Sequence, residues 1–269
     1  MVIDLTGKVA VITGAARGIG AATAARLAKS GARVIVADIK HDLGQQTVER
    51  INAEGGEAFY VPADVSRDDE IQKMIAAAVE RFGRLDILVN NAHFEVHGSA
   101  TEITADDWDR SFNVLLRAHF LGAKYAVPHM RAAGGGSIIN ISSVLGKLPV
   151  ERYITYTTAK AAVVQLTRQL ALDYGPDGIR VNTITPGAIR TDPKYAHSPD
   201  RESLDAKVTP LRRSGMTADI ANAICFLVSD QASFITGAEL VIDGGLTIPF
   251  FSTFYKRFRE LAAQEGTKE

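Results

Sequence analysis

The sequence predicts a single α/β domain built on a doubly wound, seven-stranded parallel sheet with helices on both faces. Three observations predict it. Short runs rich in Val and Ile alternate with longer stretches of helical period, the rhythm of repeated strand–helix–strand units. The strand candidates are continuous apolar runs, as strands buried on both faces read. A chain of 269 residues with 46% hydrophobic content can bury a large core, and one domain of this size is ordinary.

The first strand is VAVIT (9–13), followed by a glycine-rich turn and by AATAARLAKSGA (21–32), whose apolar residues recur at helical spacing. RVIVAD (33–38) and AFYVPAD (58–64) are the second and third strands. The helical run IQKMIAAAVERFG (71–83) leads to the fourth, LDILVNNA (85–92), and GSIINIS (136–142) is the fifth. AKAAVVQLTRQLALDYG (159–175) is helical, and IRVNTIT (179–185) and AELVID (238–243) complete the set. The apolar rhythm stops over 190–208, where Pro193, Pro199 and several charges gather directly after a strand end. Ligands bind at such ends, so a substrate lid is expected there. The main domain then spans 1–248. In the tail, 249–269, Phe250, Phe251, Phe254, Tyr255, Phe258 and Leu261 fall near helical spacing and predict a short amphipathic helix, packed on its own subunit or on a neighbour.

Composition excludes several function classes. With 30 basic and 31 acidic residues the formal net charge is −1, so no global field favours nucleic acid or anionic lipid, and neither partner is expected. The single cysteine, Cys225, rules out an internal disulfide and any cysteine-cluster metal site. In the apolar run AICFLV it reads as a small buried hydrophobe. The start, MVIDLTGKVAVITG, has no basic region ahead of a long apolar core, and no run reaches the roughly 18 apolar residues of a membrane span. A cytoplasmic protein is expected. The six histidines show no ligand spacing on a helix, and His93 and His97 fall in a loop, so no metal is expected.

The turn Gly14-Ala15-Ala16-Arg17-Gly18-Ile19-Gly20 lies between the first strand and the first helix. Gly14 permits the tight turn, Gly18 admits a pyrophosphate close to the backbone, and Gly20 lets helix and strand pack closely. A diphosphate there would meet the N–H groups and positive end of a helix. Asp38, at the end of the second strand, stands near the offset at which an acid meets the adenosine ribose hydroxyls. A 2′-phosphate about 4 Å from that carboxylate would be repelled by roughly 4 kcal/mol at an effective dielectric of 20, which favours NAD over NADP. Arg17 and Lys40 are the counter-argument, since either could reach a 2′-phosphate.

Tyr156 and Lys160 are four residues apart at the opening of a helix, on one face. A phenol acting near neutrality needs its anion favoured by roughly 4 kcal/mol, which an adjacent ammonium and a nicotinamide cation could supply. Ser142-Ser143 ends the fifth strand, Asn113 lies in the preceding helix, and TGAARGIG, NNA and PGAIRT occur in register. From the first strand to Gly245 these motifs resemble the short-chain dehydrogenase/reductase family.

The resemblance implies a Rossmann-like seven-stranded sheet, usually in a homotetramer. It makes Tyr156 the general acid/base and has Lys160 lower its pKa and hold the nicotinamide ribose. Ser143 would bond the substrate oxygen, and Asn113 would anchor a water relay to Lys160. Asp64 and Val65 would flank the adenine, and Asn90 and Ala92 would line the cofactor. After the turn at Pro186 and Gly187, Ile189 and Thr191 would meet the carboxamide. Ser142 competes with Ser143, but neighbouring strand residues point to opposite faces. Tyr153 has no lysine four residues on and is set aside.

One residue departs from the pattern: His93 stands where the family usually has Gly after Asn-Asn-Ala, and its ring either tilts outward or enters the pocket. More loosely, NNAHFEVHGSATEITADDW and SSVLGKLPVERYITY are similar to stretches of bacterial glucose 1-dehydrogenases. Glu95 could accept from sugar hydroxyls and Lys147 could donate to them. His93, His97, Lys147, Arg152, Arg190 and Lys194 make a donor-rich set suited to a sugar or polyol, including one bearing a carboxylate or sulfonate. The leading expectation is oxidation of a secondary or anomeric hydroxyl with NAD. A rival is an NADP-dependent carbonyl or 3-oxoacyl reductase; a more distant one is a catalytically silent dinucleotide-binding protein.

Overall fold

The computed structural model describes residues 3–191 and 207–248. Strands β1 (Val9–Thr13), β2 (Arg33–Asp38), β3 (Glu57–Pro62), β4 (Ile87–Asn90), β5 (Gly136–Ile141) and β6 (Ile179–Pro186) precede a small ribbon of β7 (Ile189–Arg190) and β8 (Gly215–Met216), and β9 (Glu239–Ile242) follows. All main-sheet pairings are parallel, in the order β3-β2-β1-β4-β5-β6-β9. The chain winds one way from β1 to β2 and the other from β1 to β4. The crevice at the carboxyl ends of β1 and β4 is therefore the switch point where such sheets bind ligands.

The helices are α1 (Gly18–Lys29), α2 (His41–Ala53), α3 (Asp68–Phe82), α4 (Ala105–Phe112), α5 (Ala118–Ala132), α6 (Ile154–Tyr174) and α7 (Thr217–Val228). They cover both faces because side chains alternate along each strand. On β1, Ala10 and Ile12 enter the core beneath α1, α2 and α7, whereas Val9 and Val11 enter the core beneath α3, α5 and α6. Ile12 and Leu27 are fully buried, each stabilising the fold by about 1.5–3 kcal/mol relative to exposure. Cys225 is also buried, 3.5 Å from Ser30 Oγ. Among the described residues no helix is long and apolar enough to cross a membrane.

Two expectations are revised. The third strand ends at Pro62, because Asp64 Oδ1 accepts from Ser66 N–H at 2.9 Å and turns the chain aside. Asn113 opens a five-residue π-helical turn, Asn113–Arg117, between α4 and α5. Apart from Arg190, Thr191, Lys207 and Val208, the expected lid lies outside the described residues. So does the whole tail, 249–269.

Candidate active site

A cavity of about 590 Å³ opens at the switch point, lined at one end by Gly14, Arg17, Gly18 and Ile19. Gly14 and Gly18 have φ of 63° and 60°, a region L side chains rarely adopt. A Cβ on Gly14 would sit 2.9 Å from Ala92 Cα, and one on Gly20 would sit 2.2 Å from Gly14 O. Gly20 thus stays out of the cavity wall and lets α1 press against the turn. Asn91, which sequence reasoning missed, staples the turn to β4 by donating from Nδ2 to Thr13 O (2.9 Å) and Gly14 O (3.1 Å). Replacing Gly20 with Ala should lower the unfolding midpoint by several degrees and weaken NADH binding together. Thermal unfolding and fluorescence titration would check this, and a fully stable variant that binds normally would contradict the packing argument.

Asp38 is held in the cavity wall by its neighbours' backbone. Its Oδ2 accepts from Ala16 N–H and its Oδ1 from Lys40 N–H, both at 2.9 Å. Tyr60 Oη donates to its carbonyl at 2.7 Å. Asp64, Val65 and Ala92 line the same cavity, as do Pro186, Gly187, Ile189 and Thr191. Thr191 lies across α1's first turn, its Cβ 3.3 Å from where a Gly18 Cβ would stand. A cradle of glycines at a helix N-terminus, ending on a fixed carboxylate, fits a dinucleotide: phosphates at 14–20, adenosine ribose at Asp38.

Asn90 does not belong to this wall. It is buried, donating from Nδ2 to Asn140 Oδ1 at 2.8 Å, and Asn140 Nδ2 donates to Thr167 Oγ1 at 2.9 Å. Thr183 Oγ1 also donates to Thr167 Oγ1, at 2.8 Å. This polar ladder ties α6 to β4, β5 and β6, so Asn90 anchors the helix that carries Tyr156 and Lys160.

Ser142 and Ser143 leave β5 with opposite tasks. Ser142 Oγ donates to Lys160 O at 2.7 Å, fixing α6. Ser143 lines the cavity together with Tyr156, and its Oγ accepts from Leu145 N–H at 3.2 Å. Lys160 is 3% exposed, with Nζ donating to Ile141 O at 2.7 Å and standing 5.7 Å from the Tyr156 ring centroid. Burial pushes its ammonium down from 10.5 to about 8. Burial also pushes the Tyr156 phenol up, opposed by the Ser143 bond and reinforced by the charges of Glu95 and Tyr153. The expected downward pull of Lys160 therefore does not prevail among the chain's own groups.

Asn113 does not line the cavity; its carbonyl accepts from Ala118 N–H within the π turn. The group from this helical arm that feels Lys160 is His119, 2% exposed, with neither ring nitrogen in a well-formed hydrogen bond among the described residues. Burial first, then the Lys160 charge, pushes its imidazole down to about 3, so it is neutral at working pH.

The substrate-side expectations divide. His93 and Arg190 line the cavity, and the His93 ring meets Tyr156 edge-on, centroids 5.4 Å apart. Glu95 turns instead to His93 Nε2 (3.6 Å) and His97 Nε2 (4.0 Å) and does not face the cavity. Lys147 is spent on Glu239 at 3.0 Å and Arg152 on Glu102 at 2.6 Å, both away from the cavity. Arg110 was missed: it lines the cavity with its guanidinium over the Phe94 ring, 4.5 Å from the centroid, and forms no ion pair among the described residues. Its only sequence signal was a basic residue on a short helix beside Asp106, Asp107 and Asp109, which is common on solvated faces.

The family model described as Enoyl-(Acyl carrier protein) reductase matches residues 14–247. The chain is 44% identical to trans-4-hydroxycyclohexanecarboxylate dehydrogenase of Sinomonas cyclohexanicum over 89% of its own length and 93% of the relative's. It is 39% identical to glucose 1-dehydrogenase 2 of Bacillus subtilis (strain 168), covering 91% and 96%. The fold superposes on a 7α-hydroxysteroid dehydrogenase complexed with NADH and 7-oxo glycochenodeoxycholic acid with a TM-score of 0.85, at 37% identity and covering 90% and 95% of the two chains.

Proposed function

This chain belongs to the short-chain dehydrogenase/reductase family as an NAD(P)-dependent dehydrogenase of CH–OH groups, and we propose that it uses NAD to oxidise a secondary or anomeric hydroxyl on a sugar- or polyol-like ring, including one that bears an anionic group. The observation that carries the reading is that Ser143, Tyr156 and the buried Lys160 line one cavity that ends on Asp38.

Each residue then has a task. Ser143 Oγ already accepts from Leu145 N–H, so its own proton can be donated to the substrate oxygen. Tyr156 takes the hydroxyl proton onto its phenolate oxygen. Lys160 supplies positive charge that favours that phenolate. NAD held along the cavity between the glycine turn and Asp38 would supply the hydride acceptor. Asp38, with one oxygen tied to each of two N–H groups, keeps lone pairs for ribose hydroxyls and repels a 2′-phosphate. Arg17 and Lys40, which line the same cavity, favour the NADP-dependent carbonyl or 3-oxoacyl reductase.

The relatives described above are named for a hydroxycyclohexanecarboxylate, for glucose and for a hydroxysteroid, all with a hydroxyl on a six-membered ring. Arg110, unpaired among the described residues, supports a carboxylate or sulfonate on that ring. Initial rates on glucose, a uronic acid, a hydroxycyclohexanecarboxylate, cyclohexanol and a hydroxysteroid, each with NAD and NADP, would test the proposal. The expected result is kcat/KM with NAD about 100-fold above NADP, from the roughly 4 kcal/mol repulsion discounted for exposure, and preference for the anionic ring alcohols. Strong NADPH-dependent reduction of 3-oxoacyl substrates would favour the rival, and turnover of hydroxysteroids alone would end the substrate reading.

A further inference from the structure

The loop between β4 and α4 brings His93 to the reacting end of the cavity, where its ring meets the Tyr156 ring edge-on, centroids 5.4 Å apart. Phe94, the next residue, lines the same cavity with the Arg110 guanidinium over its ring, and Val114 continues the wall. An imidazole thus occupies space beside Tyr156 that a glycine at position 93 would leave open. We propose that His93 is a specificity-determining residue whose ring confines the site to alcohols of a single ring and excludes fused-ring alcohols.

A wall selects by size only if it resists displacement, and this one is tied down on both sides of His93. Before it, Asn91 N–H and Ala92 N–H both donate to Thr13 Oγ1, at 2.9 and 3.1 Å. After it, Thr155 Oγ1 donates to Val96 O at 3.5 Å and Gly98 N–H donates to Arg152 O at 2.7 Å. Gly98 also pairs with Tyr153 in an isolated parallel bridge, so the loop is stitched to the chain that opens α6. The ring itself is held from two directions, by the Tyr156 contact and by Glu95 Oε2, 3.6 Å from its Nε2. Glu95 is braced in turn: the same oxygen lies 4.0 Å from His97 Nε2, and His97 meets Tyr153 edge-on at 4.5 Å. Edge-to-face contacts fix the orientation of a ring as well as its distance. Tyr156 has to keep its place for proton transfer, so a bulky substrate could gain room only by driving the imidazole out of both contacts. A single ring makes no such demand. Only the bulk of the imidazole enters here, not its charge.

This role rests on a ring alcohol being the substrate, and the test separates the two. The quantity to read is the kcat/KM of a hydroxysteroid divided by that of cyclohexanol, with NAD. His93→Gly and His93→Ala should each raise the ratio about 10- to 100-fold, the range that a misfitting group in a pocket commonly imposes. His93→Phe restores an uncharged ring of similar bulk and should keep the ratio within about threefold of the wild type. A merely structural role would lower both rates together and leave the ratio in place. NADH titration by fluorescence, run on each variant, shows whether the cofactor site is intact. A ratio unmoved in both small-residue variants, a rise in His93→Phe as large as in His93→Gly, or a tenfold change in NADH affinity with no change in the ratio would overturn the proposal. If no alcohol reacts, the substrate reading fails, but quenching of bound-NADH fluorescence by a ketosteroid and by cyclohexanone gives the same comparison as a ratio of affinities and still decides the role of His93.

Discussion

Replacing Tyr156 with Phe is expected to lower kcat by about 10²–10⁴-fold, the usual worth of a positioned general acid/base. NADH binding should change less than about threefold. The ring keeps its place against His93 and only the hydroxyl is lost. Ser143 Oγ still accepts from Leu145 N–H, so no buried acceptor is orphaned and stability should move by less than about 1 kcal/mol. Steady-state rates, NADH fluorescence titration and thermal unfolding on one preparation would check all three. A variant that retained a tenth or more of the wild-type kcat would remove Tyr156 from the reaction.

Replacing Lys160 with Met should abolish turnover by a comparable factor while making the protein more stable at neutral pH. The ammonium is buried and pushed from 10.5 down to about 8, so the folded state carries a penalty for its charge. Below pH 8 both folded and unfolded chains hold the proton and the penalty, about 3 kcal/mol, is complete. Between 8 and 10.5 the unfolded chain binds the proton more tightly, so stability rises with pH as the penalty fades. Methionine fills similar volume without charge, but leaves Ile141 O without the Nζ donor, at a cost of about 1 kcal/mol. The net gain near pH 7 should be about 1–2 kcal/mol, a rise of roughly 2–8 °C in Tm, shrinking toward pH 10. Thermal unfolding of the two proteins at pH 7 and 10 would test the sign. A less stable variant at pH 7 would mean that the charge is compensated in the fold.

Much of the fold and of the cavity lining is legible in the sequence. Strand runs with both faces apolar fixed the sheet, because alternation into two helix layers leaves no polar face to confuse the pattern. The glycine turn, Asp38, Ser143, Tyr156 and Lys160 were legible because backbone approach and proton transfer each demand particular residue types at particular offsets. The pairing choices were not. Lys147 and Arg152 have the right chemistry for a sugar, yet Glu239 and Glu102 take them, and only the folded chain brings those carboxylates near. Asn90 and Asn91 are adjacent and alike; strand alternation sends one into the core and the other to the glycine turn. Asn113 reads as part of an ordinary helix, whereas it opens a π turn, and His119, further along the same arm, feels the Lys160 charge.

That π turn also limits how the chain can change length. Each residue advances a helix by about 100°. The wider winding of Asn113–Arg117 holds about one residue more than regular winding would, so losing one there keeps α5 in register, whereas losing one from α4 or α5 would swing the rest of α5 through that angle. Leu121, Ala123, Ala126 and Met130, now against the sheet, would then face elsewhere. Length changes should therefore be tolerated in the 93–104 loop, where new substrate ranges could be grafted, and as a one-residue deletion within the turn, but rejected in α4 and α5 on either side of it.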